Sequence, residues 1–139
     1  MYYLRTEDAF DAAHFLKGYE GKCSNIHGHR WKVIVEVKGE KLQESGTKRG
    51  MVVDFSDIKD SLNKLCNNLD HSLIIEEGSL KQSTIEALYD EEFRIIQFEF
   101  RPTAENFARY FFEQMKKEGY SINRVEVYET PNNFAAYEE

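Results

Sequence analysis

The sequence predicts an α+β fold: an antiparallel four-stranded sheet with two helices on one face, in a single domain over residues 1–139. Three observations point there. Apolar residues alternate with period two near both ends of the chain. Two interior stretches instead repeat with helical period. Only two prolines occur and no Ser/Gly-rich linker, internal repeat or low-complexity tract divides the chain.

Taken in order, Tyr2 to His14 is extended and aromatic-rich, ending in Phe10-Asp-Ala-Ala-His14. A Gly/Lys/Asn loop from Lys17 to Asn25 follows. Trp31, Val33, Val35 and Val37 then alternate against Lys32, Ile34 and Glu36, so these two strands are placed to pair as an antiparallel hairpin. Lys38 to Arg49 is charged and contains glycine, as a turn or loop does, and Gly50 to Phe55 reads as a short approach strand. Ser56 is a good N-cap for a helix whose Ile58, Leu62, Leu65, Cys66 and Leu69 share one face.

Residues 72–92 show no single period, and Phe93 to Phe100 alternates like a strand. Pro102-Thr103 opens a second helix, with Thr103 as cap, Phe107, Tyr110, Phe111 and Met115 as its apolar stripe, and Gly119 as its terminator. Val125, Val127 and Phe134 to Tyr137 form the last extended segments around Pro131-Asn-Asn. Such a sheet has two open edges. Natural proteins often bury uncovered edges by association, so a homo-oligomer is expected.

Composition narrows the function. Hydrophobic content of 41% and charged content of 31% match ordinary globular usage. A net charge of -7 argues against nucleic-acid binding, which needs a basic surface, and a polyanionic substrate would need a local basic pocket. No apolar run is long enough to cross a bilayer, and Met1 to Asp8 has no signal-peptide core. Cys23 and Cys66 read as thiols rather than a disulfide framework, so the cytoplasm is the expected compartment.

Three of the four histidines fall in or beside the predicted hairpin. His27 and His29 leave the same face if the strand starts there, and antiparallel pairing brings His14 alongside. Gly28 between them permits a bend or a close backbone approach. Three imidazoles on two rigid strands suit a zinc ion with an open fourth position. Cys23, four residues before His27, fits equally well as a fourth ligand closing a structural site or as a reactive thiol beside an open one.

Other polar residues have a chemical and a plain structural reading. In Asp70-His71 a carboxylate can orient an imidazole, or His71 can simply sit at a helix C-terminus. Glu129 can accept two hydrogen bonds from a guanidine-like heterocycle edge, or be a solvated strand-end acid. Glu105 is an ordinary acid in a first helical turn. Asp54, before a helix, and Cys66, on an apolar stripe, read as structural.

Phe10-Asp-Ala-Ala-His14, Cys23-Ser-Asn-Ile-His27-Gly-His29, Gly50-Met-Val-Val-Asp-Phe55, Leu69-Asp-His71, Pro102-Thr-Ala-Glu-Asn106 and Tyr128-Glu-Thr130 occur in that order. Together they resemble the 6-pyruvoyltetrahydropterin synthase family, which includes the 6-carboxytetrahydropterin synthases of queuosine precursor synthesis. The resemblance covers nearly the whole chain. It implies that His14, His27 and His29 hold zinc and that Cys23 is the general base rather than a ligand. It also implies that Asp70 and His71 assist proton transfer, that Glu129 grips the pterin ring, and that Thr103 and Glu105 line the pterin pocket.

The implied substrate is 7,8-dihydroneopterin triphosphate. The implied fold is the tunnelling fold (T-fold), in which trimers close their sheets into a barrel, two trimers stack, and active sites lie between subunits. Formation of 6-carboxytetrahydropterin with release of acetaldehyde and triphosphate is the leading expectation. A 6-pyruvoyl product of the tetrahydrobiopterin pathway is second, and a non-catalytic module with structural zinc is the expectation from another class. Cys23 separates the chain from relatives that carry glutamate there and make a folate precursor. Two features depart from the family pattern: Arg30-Trp31 replaces a small-or-polar residue followed by Tyr or Phe, and the stretch from Ser72 to Arg101 is longer than in compact members.

Overall fold

A computed structural model describes residues 1–139. Its elements are β1 (Tyr2–His14), β2 (His27–Gly39), α1 (Phe55–Leu69), β3 (Ser72–Glu76), α2 (Gln82–Asp90), β4 (Ile95–Phe98), α3 (Ala104–Lys117), β5 (Ile122–Thr130) and β6 (Asn133–Tyr137). They form one sheet in the order β4-β3-β1-β2-β5-β6. The expected antiparallel strands are β1, β2, β5 and β6.

The sheet nevertheless has six strands rather than four, and it is mixed. β3 runs parallel to β1, and β4 parallel to β3. The reason β3 escapes a periodicity reading is physical. Ile74 packs into the main core while its neighbour Ile75 packs into a second cluster with Phe15, Ile85 and Ile95. A strand covered on both faces shows a continuous apolar run instead of alternation. Successive strand residues point to opposite faces, so α2, which carries Ile85, covers the face opposite α1 and α3. There are three helices, and they do not all lie on one side.

Two local expectations also change. Gly50 to Asp54 contains no strand; it is an irregular approach to α1. The cap of α1 is Asp54, whose carboxylate accepts from the Ser56 amide at 2.8 Å, while Ser56 lies within the helix. At the other end, the Arg94 guanidinium donates to the carbonyls of Asn67, Asn68 and Asp70, satisfying acceptors the helix leaves open and placing a cation at its negative pole. Thr103 caps α3 as expected, accepting from the Asn106 amide. Gly119, at φ +98°, follows the last turn.

The main core fills the space between the sheet and α1/α3. β1 contributes Phe10 and Ala12, β2 contributes Trp31, Val33, Val35 and Val37, and β5 contributes Val125 and Val127. Phe10 pairs with Trp31, Ala12 with His29, and His14 with His27 as alternate rungs of the β1–β2 ladder. The histidine cluster is therefore the continuation of the core's own face toward the end of the sheet. No helix is long and apolar enough to cross a membrane.

Leu62 is fully buried on α1 whereas Phe55 is 58% exposed at its start. Leu62→Ala is expected to lower unfolding free energy by about 2–5 kcal/mol. Phe55→Ala is expected to change it by less than about 0.5 kcal/mol. Urea midpoints measured on the two variants check the contrast.

Candidate metal centre and the Asp70–His71 pair

His14 is 1% exposed, and its Nδ1 lies 2.7 Å from the Pro102 carbonyl. His27 Nδ1 lies 2.7 Å from the Asn25 carbonyl. A carbonyl only accepts, so both rings carry their proton on Nδ1 and present a bare Nε2. These two Nε2 atoms face each other at 3.1 Å. Two lone pairs at that separation repel unless a cation lies between them. His29 adds a third nitrogen: its Nε2 is buried and has no hydrogen-bond partner. Glu129 Oε1 approaches both His14 Nε2 and His29 Nε2 at 3.3 Å.

His14, His27, His29 and Glu129 each offer a ligand atom within 4.8 Å of the others. Orphaned imidazole nitrogens with carbonyl-fixed tautomers are what a zinc site with its outer hydrogen bonds requires, so the donor set fits a metal ion. The rings of His14 and His29 also meet Trp31 edge-on, with centroids at 4.9 and 5.4 Å, which keeps the inner side of the cluster apolar. Burial holds the His14 pKa down at about 4, against the supporting hydrogen bond to Pro102. Burial lowers His29 as well, partly opposed by Glu129. Both rings are thus neutral near pH 7, the form that binds metal.

Glu129 joins the histidines by parity. Val125, Val127 and Glu129 occupy alternate positions of β5, and the two valines face the core. Gly28 sits in regular strand. A Cβ there would meet nothing closer than the Ala12 carbonyl at 3.7 Å, so this subunit alone does not demand glycine.

The remaining candidates lie apart from that cluster. Cys23 is a free, half-buried thiol in a short 3-10 turn, Lys22–Ser24, tied down by Leu16 N donating to the Cys23 carbonyl at 2.9 Å. The fourth group at the histidines is Glu129 and not Cys23. His71 Nδ1 donates to Asp70 Oδ2 at 2.7 Å, but His71 makes no hydrogen bond to Cys23, and its side chain is 80% exposed. Asp70 Oδ1 accepts from the Asp11 amide at 2.8 Å, and the His71 amide donates to the Asp11 carbonyl at 2.7 Å. The Asp11 amide first, and His71 second, hold the Asp70 carboxyl below the usual range. His71 adopts φ +52°, an uncommon value for a non-glycine residue and one that recurs at functional sites.

Thr103 uses its hydroxyl to cap α3, beside the Pro102 carbonyl that holds His14. Glu105 is an exposed acid in the first turn of α3. Sequence reasoning missed the two carbonyl supports and the Asp11–Arg30 ion pair at 3.0 Å. The ion pair had a signal, opposite charges on paired strands, but only once the register was known. A hollow of about 710 Å³ is bordered by Asp11, His29, Arg30, His71 and Arg94.

With metal stripped, the cluster makes stability depend on pH with a definite sign. The unfolded chain protonates His14 near pH 6.5, whereas the folded chain does so only near 4. The unfolded state therefore binds more protons in this window, and stability present above about pH 6.5 is lost as pH falls toward 4. Melting temperatures of chelator-treated protein should drop across that interval, and the drop should shrink in His14→Gln.

Comparison with known proteins identifies the family. The family model described as 6-pyruvoyl tetrahydropterin synthase matches residues 3–139. The chain is 39% identical over 142 aligned residues to the 6-carboxy-5,6,7,8-tetrahydropterin synthase of Haemophilus influenzae, covering all of both chains. It is 32% identical to the protein of that name from Synechocystis sp., covering 99% of this chain and 93% of the other. Among solved structures, an uncharacterized protein from Wolinella succinogenes superposes with a TM-score of 0.79 at 23% identity, over 99% and 98% of the two chains. The 6-pyruvoyl tetrahydropterin synthase of Caenorhabditis elegans gives 0.69 at 25% identity, over 99% and 95%. The α+β, T-fold class read from the sequence holds for the subunit. Matched along nearly its whole length, the chain belongs to the 6-pyruvoyl tetrahydropterin synthase family.

Proposed function

We propose that this protein is a zinc-dependent 6-carboxy-5,6,7,8-tetrahydropterin synthase, a lyase acting on 7,8-dihydroneopterin triphosphate in queuosine precursor synthesis. The supporting observation is the convergence of bare His14 and His27 Nε2 atoms with the orphaned His29 Nε2. Relatives bearing the 6-carboxy name along the full chain favour it over a 6-pyruvoyl product.

His14, His27 and His29 hold the zinc, which when bound supplies a Lewis acid that polarises a substrate oxygen and acidifies the adjacent C–H. The Cys23 thiol takes up that proton as general base once it is deprotonated. His71, kept in one tautomer by Asp70, presents Nε2 as the acceptor for proton exchange. Glu129 grips the guanidine-like edge of the pterin through a charge-assisted pair of hydrogen bonds, and Thr103 and Glu105 line that pocket. Elimination releases triphosphate, one water is consumed in cleaving the remaining carbon–carbon bond, and acetaldehyde leaves with 6-carboxytetrahydropterin as the other product.

The exposed His71 ring and its lack of a bond to Cys23 favour an active site assembled between subunits, in which one copy brings Asp70–His71 to another copy's thiol. The outer strands β4 and β6 are four and five residues long and leave two sheet edges available for such a homo-oligomer, a trimer or hexamer.

Incubation of the zinc-loaded protein with dihydroneopterin triphosphate should yield acetaldehyde and a carboxypterin by mass; a pyruvoyl product would replace the proposal with its sibling activity. Cys23→Ala should keep the metal and the fold while activity falls by roughly 10²–10⁴-fold. His27→Ala should lose the metal. Loss of metal from Cys23→Ala would instead favour a structural site held by one cysteine and three histidines.

A further inference from the structure

The Asp11–Arg30 ion pair lies beside the Asp70–His71 turn, and that neighbourhood gives it a role. Asp11 and Arg30 are directly opposed in the β1–β2 register, and Arg30 Nη1 donates to Asp11 Oδ2 at 3.0 Å. Their parity differs from that of His14 and His29, so they project from the other face of the sheet. The same residue 11 holds the Asp70–His71 turn twice through its backbone, by its amide to Asp70 Oδ1 and by its carbonyl from the His71 amide. The carboxylates of Asp11 and Asp70 and the His71 imidazole lie within 4.8 Å of one another.

Two carboxylates around one imidazole stabilise the imidazolium and discourage it from releasing a proton. Arg30 offsets one of them. Arg94, on the far side, has its guanidinium on the carbonyls of Asn67, Asn68 and Asp70, and His29 borders the same hollow. Asp70, Asp11, Arg30 and Arg94 are the ionisable groups gathered around His71 from the elements beside it, while the His29 ring leaves β2 on the opposite face.

We propose that Asp11 and Arg30 are positioning residues for the Asp70–His71 pair: the residue-11 peptide fixes its place on β1, and the Asp11–Arg30 ion pair sets the charge His71 feels. This rests on the reading of His71 as a proton-transfer group. Each partner has an effect of opposite sign. Removing the Asp11 charge disfavours protonated His71, and removing the Arg30 charge favours it.

The test is an NMR titration of the His71 ring in the zinc-loaded full chain. Asp11→Asn should lower the His71 midpoint, Arg30→Gln should raise it, and Arg30→Lys should restore it. Unchanged midpoints, or shifts of the same sign in Asp11→Asn and Arg30→Gln, overturn the proposal. Arg30 is solvent-facing, so its variants decide the matter even if Asp11→Asn fails to fold. The acid limb of the kcat/KM profile should move with the midpoints. Opposite-sign midpoint shifts in a protein that turns over no pterin would leave this charge arrangement standing and remove only the assigned reaction.

Discussion

Two imidazole lone pairs held 3.1 Å apart are the constraint around which this structure is organised. Each ring is prevented from turning its proton inward because a main-chain carbonyl already occupies its other nitrogen. One carbonyl belongs to Pro102, immediately before the cap of α3, and the other to Asn25, in the loop that leads into β2. The start of a helix and the start of a strand therefore fix the two tautomers. Trp31 and the core behind it exclude water from the His14 ring, which keeps it neutral. A site built this way has an electrostatic deficit that a cation relieves.

The strand β1 divides the chemistry. Its even positions Phe10, Ala12 and His14 run from the core into the histidine cluster, while the peptide of residue 11 anchors the turn that carries Asp70 and His71. One rigid element thus sets the location of both the histidine cluster and the exposed Asp70–His71 turn. The short outer strands leave the sheet ready to be extended by another copy, and under the proposed function the exposed His71 then completes a neighbour's site.

Much of this was legible in the residues. The alternation of Trp31, Val33, Val35 and Val37, the stripe from Ile58 to Leu69 and the Thr103 cap each carry a one-to-one physical signature, and each is observed. His14, His27 and His29 share a face by parity once their strands are paired. What escaped did so for definable reasons. β3 is buried on both sides and loses its period, and the short α2 contributes one buried residue, Ile85, to a separate small cluster. Asp54 and Ser56 compete for the α1 cap in the residues alone, because serine and aspartate are near-equal caps. The supports at Pro102 and Asn25 act through carbonyls, a group every residue has, so no side-chain identity announces them. Glu129 had the right parity, but its closeness to the histidines depends on register between strands far apart in sequence.

X-ray absorption at the zinc edge, on protein loaded with one equivalent of metal, reports the ligand atoms directly. The account predicts three imidazole nitrogens at about 2.0–2.1 Å, an oxygen completing the shell, and no sulfur. A sulfur shell at about 2.3 Å, or an imidazole count below three, would contradict it.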